Sequence, residues 1–261
     1  MTTSDPRSPA MPLRYARFLI GRERTLAANR QVGLLLAFVA GAINAGGFLA
    51  VRQYTSHVTG LISSMADHLV LGDSELVVSA LAAVLAFLLG AMCCAVMVNF
   101  ARRRALASEY ALPLLLEALL ILCFGLMGAW LARVEGLLIP ATVALLCFIM
   151  GLQNAVVTKL SNAVIRTTHM TGVVTDLGIE LGKLLYWNRV KGIAPVVRAD
   201  RDRMRVLAGL LAAFVGGGVV GAYGFKRLGY GFTVPLAVLL TVVALVPVWD
   251  DWQRRGARVS D

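Results

Sequence analysis

Six long apolar runs constrain this chain more than any other feature of its sequence. About 20 consecutive apolar residues are enough for a helix to cross the hydrocarbon core of a bilayer. With 58% hydrophobic and only 15% charged residues, the sequence predicts an all-α polytopic membrane protein rather than a soluble domain. The six predicted transmembrane helices lie near residues 32–51, 76–100, 111–132, 138–158, 206–225 and 231–249.

Two further segments, 57–71 and 169–185, have a helical pattern but are shorter and more polar. At ~1.5 Å per residue each is roughly 22–26 Å long, less than the ~30 Å core of a bilayer. We therefore expect two re-entrant half-helices, which enter the membrane and return to the same side.

Basic residues lie almost entirely between the apolar runs, although the net charge is +10. If both half-helices return, the basic clusters share one side of the membrane, as the positive-inside rule requires. The pattern thus predicts a bacterial inner-membrane protein with both termini in the cytoplasm and no nucleic-acid partner. The chain divides into a basic N-terminal segment (1–30), two repeats (31–132 and 133–250) and a cytoplasmic tail (251–261).

Two blocks of sequence in the first half of the chain recur in the second half. AFVAGAINA (37–45) matches CFIMGLQNA (147–155), and TSHVTG (55–60) matches TTHMTG (167–172). Each half contributes three crossings, so the second half begins on the opposite side of the membrane. The sequence therefore predicts an inverted 3+3 repeat, an arrangement that many transporters and some channels share.

The Thr/Ser-His-x-Thr-Gly motif stands at the start of each half-helix. Hydroxyls of Thr55, Ser56, Thr167 and Thr168 are candidate N-caps. Helix N-termini carry unpaired N–H groups and favour an anion or a polar group. The predicted substrate-binding residues are Ser56, His57, Thr59, Gly60, Thr168, His169, Thr171 and Gly172, with Asn44 and Asn154 from the first span of each half. The alternative is that these residues only cap and pack helices.

Ionisable side chains inside membrane segments commonly mark proton pathways. The predicted proton-coupling residues are Asp176, Glu180, His68 and Glu117. For Glu180 and Glu117 an interfacial position is the alternative. Cys93, Cys94, Cys123 and Cys147 lie inside apolar runs and are interpreted as small buried hydrophobes. No dense metal motif is present, and we predict no cofactor and no enzymatic activity.

The blocks GAINAGGFLA, SHVTG, GLQNA and RTTHMTG followed by TDLG resemble the YoaK-type family of bacterial multi-pass membrane proteins. That family is a domain-of-unknown-function family, and the resemblance covers roughly residues 32–249. It implies a multi-pass membrane protein of about this length, without a substrate, a cofactor or a catalytic residue.

These observations favour a small-solute transporter with a midplane site at the N-termini of the two half-helices and with protons as a candidate driving ion. The expected partners are the lipid bilayer and a small-molecule or ion substrate, and a homo-oligomer is left open. The alternatives are a passive channel for a small polar or anionic solute, an intramembrane metal-dependent enzyme, and a non-transporting sensor.

Overall fold

The computed structural model describes residues 26–104, 106, 109–131, 135–160, 170–186 and 196–245, and every regular element in this part of the chain is a helix. The elements are α1 (Leu26–Val51), α2 (Val58–Leu71), α3 (Ser74–Arg103), α4 (Ala111–Leu131), α5 (Glu135–Leu160), α6 (Met170–Leu185), α7 (Arg201–Leu228), a 3₁₀ turn (Gly229–Phe232) and α8 (233–245). The predicted all-α class is confirmed for these residues.

Five stretches of the described chain are long and apolar enough to cross a membrane. The last of them, Arg201–Leu245, is 45 residues long and contains both α7 and α8. Gly229 has φ 56° between these helices, a positive value that glycine adopts easily, and the ring of Phe232 lies against Gly224. The stretch is therefore broken at the point where the sequence separates its fifth and sixth predicted spans. The other four stretches are Arg30–Val51, Ser74–Arg103, Ala111–Trp130 and Ile139–Lys159.

Large apolar side chains cover the outside of this helical assembly. On α3, Leu88, Met92 and Val96 are all at least half exposed. In water such a stripe would be an unusually large apolar patch, whereas in a bilayer it faces lipid chains. Together with the length of the apolar helices, this surface identifies a multi-pass membrane protein.

The two short helices have nearly the predicted bounds. The 14 residues of α2 begin one residue after the predicted start, and α6 has 16 residues. Gly72 ends α2 in the left-handed conformation (φ 82°) and donates its N–H to the carbonyl of His68. Because α3 begins at Ser74, α2 and α3 form a tight helical hairpin.

Glycines bring α1 and α7 into backbone contact. A Cβ built on Gly217 of α7 would collide with the carbonyl oxygen of Phe38 on α1, and a Cβ on Gly41 would collide with that of Phe214. Each helix thus contributes one Phe-x-x-Gly motif, and each glycine receives the partner's phenylalanine carbonyl. Small residues at such positions let membrane helices approach closely.

The pair formed by α3 and α5 repeats this geometry. A Cβ on Gly90 of α3 would collide with the carbonyl of Phe148, and one on Gly151 of α5 would collide with that of Phe87. The sequence match between the halves includes the motifs of α1 and α5 but not those of α3 and α7. The structure therefore adds a second pair of equivalent positions.

The directions of the helices follow from their contacts. Along α1, Leu36 accepts a hydrogen bond from Gln153 (3.0 Å), and eleven residues later Gly47 lies against Leu146. As the residue number rises along α1, the number of the contacting residue falls along α5, so α1 and α5 are antiparallel. Ala83 of α3 and Val143 of α5 belong to one cluster, and further along both helices Gly90 contacts Phe148. The residue numbers rise together along the two helices, so α3 and α5 are parallel.

Candidate functional site

The break between α1 and α2 is exposed at residues 52–54 but is buried at Thr55. After α1 ends, Arg52 has φ 56°, a conformation that is strained for a residue other than glycine. Tyr54 then folds back, and its ring stacks on Phe48 at 4.8 Å between centroids. Leu61, in the first turn of α2, is buried in a cluster with Ala83 and Cys147. The start of α2 is therefore packed against the interiors of α3 and α5.

Two predicted site residues meet at this break. The hydroxyl of Ser56 donates a hydrogen bond of 2.9 Å to Oδ1 of Asn44. Thr55, next to Ser56, is only 1% exposed, lies beside Gly47, and its hydroxyl has no hydrogen-bond partner. A buried hydroxyl without a partner is uncommon, so this small polar cluster is able to accept one further hydrogen-bonding group.

The N-cap prediction for this half-helix is wrong. The residue at the N-cap of α2 is His57, and no side chain caps the helix. Ser56 is one position too early, and its hydroxyl is bonded to Asn44 instead. The first-turn N–H groups of α2 consequently lack a side-chain acceptor.

The remaining motif residues of the first copy surround His57. A Cβ on Gly60 would lie 2.6 Å from Nδ1 of His57, so a larger residue here would displace the imidazole from its place over the first turn. The His57 and Thr59 side chains are exposed. Gly60 therefore allows the ring of His57, in the same motif, to lie close to the backbone.

The second copy of the motif is only partly described. Thr167, Thr168 and His169 lie outside the described residues, while Thr171 and Gly172 are exposed in the first turn of α6. The expected convergence of the two half-helix N-termini thus stays a prediction.

The amide pair of α5 is buried. Asn154 is 9% exposed and its neighbour Gln153 is fully buried. Gln153 donates to the carbonyl of Leu36 on α1, and its Oε1 has no hydrogen-bond partner. Gln153 therefore joins α1 to α5 through one half of its amide.

Ion pairs hold the predicted proton-coupling carboxylates of α6. Asp176 contacts Nη2 of Arg203 on α7 at 2.9 Å. Glu180, 2% exposed, contacts Nζ of Lys183 at 2.8 Å, Nη1 of Arg203 at 3.9 Å and the backbone N–H of Asp200 at 2.8 Å. These contacts give both carboxylates a role in fastening α6 to the start of α7.

The same contacts favour the charged form of Glu180. The hydrogen bond from Lys183, followed by that from the Asp200 N–H, lowers the pKa of this carboxyl below its ordinary value, and the charge of Arg203 adds to the effect. Asp200 itself caps α7, because its side chain accepts hydrogen bonds from the N–H groups of Asp202 and Arg203.

His68 occupies the matching place in the first repeat. Its Nδ1 lies 3.2 Å from Oδ2 of Asp73, the N-cap residue of α3. In both halves, then, a residue near the end of the half-helix contacts the N-cap residue of the following long helix. In the first half the contact is between the side chains of His68 and Asp73. In the second half Glu180 accepts a hydrogen bond from the backbone N–H of Asp200.

Glu117 differs from the other three predicted proton-coupling residues. It is fully buried in α4, and neither carboxylate oxygen has a hydrogen-bond partner. Its burial is against other side chains of the protein, so its depth in the membrane, and with it the interfacial alternative, stays a prediction.

Other candidate ligand sites are weak. No group of three or more His, Cys, Asp or Glu side chains suited to a metal ion occurs among the described residues. A groove of about 470 Å³ between α7 and the 3₁₀ turn is lined by mostly apolar residues, including Tyr223 and Phe232. This groove does not include the Asn44 cluster.

Comparisons with known proteins identify the family. The profile of the family described as "Protein of unknown function (DUF1275)" matches residues 32–246. The chain belongs to the DUF1275 family. A relative, the UPF0700 transmembrane protein YoaK of Bacillus subtilis (strain 168), is 28% identical over 171 residues, which are 64% of this chain and 74% of the relative. No solved structure matches.

The family assignment confirms the resemblance seen in the motif blocks. In this DUF1275 protein the matched region contains the Asn44 cluster, Glu117 and the ion pairs of α6. Two polar residues of the structure, Thr55 and Gln153, are not among the predicted site residues. Thr55 recurs as Thr167 in the repeat, and that match was the available signal.

Proposed function

We propose that this protein is a small-solute transporter of the bacterial inner membrane that binds uncharged, hydrogen-bonding solutes at the break between α1 and α2. The observation that carries the proposal is the buried hydroxyl of Thr55, which has no hydrogen-bond partner. Thr55 is next in the chain to Ser56, whose hydroxyl is bonded to Asn44. The groups of this cluster are hydroxyls and an amide, which carry no charge. A neutral polar solute matches them better than an ion does.

The proposal includes six crossings arranged as an inverted 3+3 repeat, with both termini in the cytoplasm. Because α1 is antiparallel to α5 and α5 is parallel to α3, α1 and α3 run in opposite directions. This is the relation expected if α2 returns to the side from which it enters, whereas a complete crossing would make α1 and α3 parallel. The reciprocal Phe-x-x-Gly contacts support the equivalence of the two halves.

Charge placement supports the orientation. Arg102, Arg103 and Arg104 follow α3, and the segment before α7 is also basic. The positive-inside rule assigns both to the cytoplasm if α2 and α6 are re-entrant. The end of α2 and the start of α3 then lie on the outer side.

Uptake by reconstituted protein tests this function. Proteoliposomes would be offered labelled glycerol, urea, xylitol and glucose in turn, with protein-free liposomes as the blank. We expect saturable uptake of at least one of these solutes. Asn44→Ala and Ser56→Ala should each reduce it about tenfold, the equivalent of about 1.4 kcal/mol of lost interaction.

Matched controls separate the site from the scaffold. Asn99→Ala and Ser63→Ala remove the same groups from exposed positions on α3 and α2, and both should retain uptake. Uptake that rises linearly with concentration would favour a channel. If Asn44→Ala and Ser56→Ala both retained full uptake, the site assignment would be wrong.

A further inference from the structure

We propose that Glu117 is the residue that carries the proton in this transporter, a proposal that rests on the proposed function and names its coupling site. Among the four ionisable residues with a predicted coupling role, Asp176, Glu180 and His68 all have charged partners. Glu117 has none and is fully buried. A group that must gain and lose a proton cannot be held permanently as one half of an ion pair.

The surroundings of Glu117 are apolar. Leu114, Ala118 and Ile121, its neighbours on α4, are all buried in the main core. Hydrocarbon and apolar side chains solvate an unpaired carboxylate poorly, so the neutral acid is the form that fits the closed structure. In this form Glu117 adds no net charge to the membrane interior.

Few other ionisable groups face this position. Cys94 on α3 is close enough to Glu117 for an electrostatic interaction, and Lys159, near the end of α5, acts on the same thiol. Tyr110, the residue before α4, lies seven residues before Glu117 and receives a hydrogen bond from Arg102. The described part of α8 contains no ionisable side chain.

These neighbours suggest the route of exchange. Lys159, Tyr110 and Arg102 lie at the ends of α5, α4 and α3 that the orientation assigns to the cytoplasm. When water reaches Glu117 from that side, the acid O–H bond breaks and the proton passes to water. A proton taken from water in the outward-open state re-forms the acid. No oxidant, reductant or second reactant is required.

Infrared spectroscopy of the purified protein tests the protonation state without a substrate. The spectrum at neutral pH should contain a carboxylic acid C=O band that shifts on exchange into D₂O. Glu117→Gln should remove this band, while the matched variant Glu180→Gln, which replaces an ion-paired carboxyl, should retain it. A spectrum that Glu117→Gln leaves unchanged would overturn the proposal.

Flux measurements test the coupling. With a solute that the wild type accumulates under an imposed pH gradient, Glu117→Gln should reduce gradient-driven uptake to the level without a gradient but retain exchange of labelled for unlabelled solute. If Glu117→Gln still responded to the gradient, the coupling assignment would fail while transport itself would stand. If the wild type moved none of the four test solutes, the proposed function would fail, and the infrared band would still decide whether Glu117 holds a proton.

Discussion

Gly217 of α7 packs directly against the backbone carbonyl of Phe38 on α1, and no Cβ fits between them. Gly216, the preceding residue, has no heavy atom within 4 Å of the position of a Cβ. The two neighbouring glycines therefore differ, since Gly217 permits the contact between α7 and α1 and Gly216 faces open space.

Gly217→Ala should destabilise the protein. An added methyl group would collide with backbone, which cannot move aside as a flexible side chain can, and overpacking of this kind costs about 1–3 kcal/mol. Gly216→Ala should instead stabilise α7 by about 0.5–1 kcal/mol, because alanine is the better helix former. Thermal unfolding of the two variants in detergent checks this, and equal melting temperatures would contradict the contact.

Reporter fusions test whether α2 returns to its starting side. A fluorescent protein fused after residue 104 should fluoresce, and alkaline phosphatase fused after residue 72 should be active, because the first position is cytoplasmic and the second is outside. If α2 crossed the membrane completely, the two reporters would exchange their activities. That result would remove the six-crossing arrangement.

Much of this architecture could be predicted from the sequence, because length and hydropathy depend on local composition. The bounds of α2 were predicted within one residue. The second Phe-x-x-Gly pair, in α3 and α7, was missed because the connection between α6 and α7 (186–200) is much longer than that between α2 and α3 (72–73), which changes the spacing between the halves.

The polar contacts were harder to predict. The hydroxyl of Ser56 was assigned to a local cap, but it bonds Asn44 of the preceding helix. Asp176 pairs with Arg203, which is 27 residues later. A sequence shows which groups need partners, whereas the choice between a local and a distant partner depends on how helices pack.

Glu180 should stabilise the protein in a pH-dependent manner. Its pKa in the folded protein is lowered, chiefly by Lys183. The stabilisation is therefore complete above the unfolded-state pKa of about 4.3 and is lost as the pH falls through the lower folded-state pKa. At pH 7 we expect Glu180→Gln to melt below the wild type, with a difference that narrows below about pH 4.

Glu75→Gln is the matched control for that experiment, since Glu75 is an exposed glutamate in the first turn of α3. Glu75→Gln should have little effect on the melting temperature, both at neutral pH and at the acidic end of the range. An ordinary glutamate has a pKa of about 4.3, so the range from pH 7 to pH 3.5 covers its titration. A difference in melting temperature between Glu180→Gln and the wild type that stayed constant over this range would contradict the assigned contacts.

Arg203 should contribute more to stability than Arg205. Arg203 joins α7 to α6 through Asp176 and Glu180, whereas Arg205 contacts Asp202, three residues earlier on the same helix. A double-mutant cycle on Asp176 and Arg203 should give a coupling of up to about 1 kcal/mol, as expected for a partly exposed pair. Proteolysis of the segment before α7 should also be faster in Arg203→Ala than in Arg205→Ala.

A transporter must expose its binding site to each side of the membrane in turn, so the proposed function requires the cluster at the break between α1 and α2 to open to both sides. Thr55→Cys, in a chain whose four native cysteines are replaced, tests it most directly, because Thr55 is 1% exposed in the closed structure. A membrane-impermeant maleimide should label this cysteine from either side, while Val39→Cys, fully buried in α1, should remain unlabelled from both. Labelling of Thr55→Cys from neither side would contradict the account and identify the cluster as static packing.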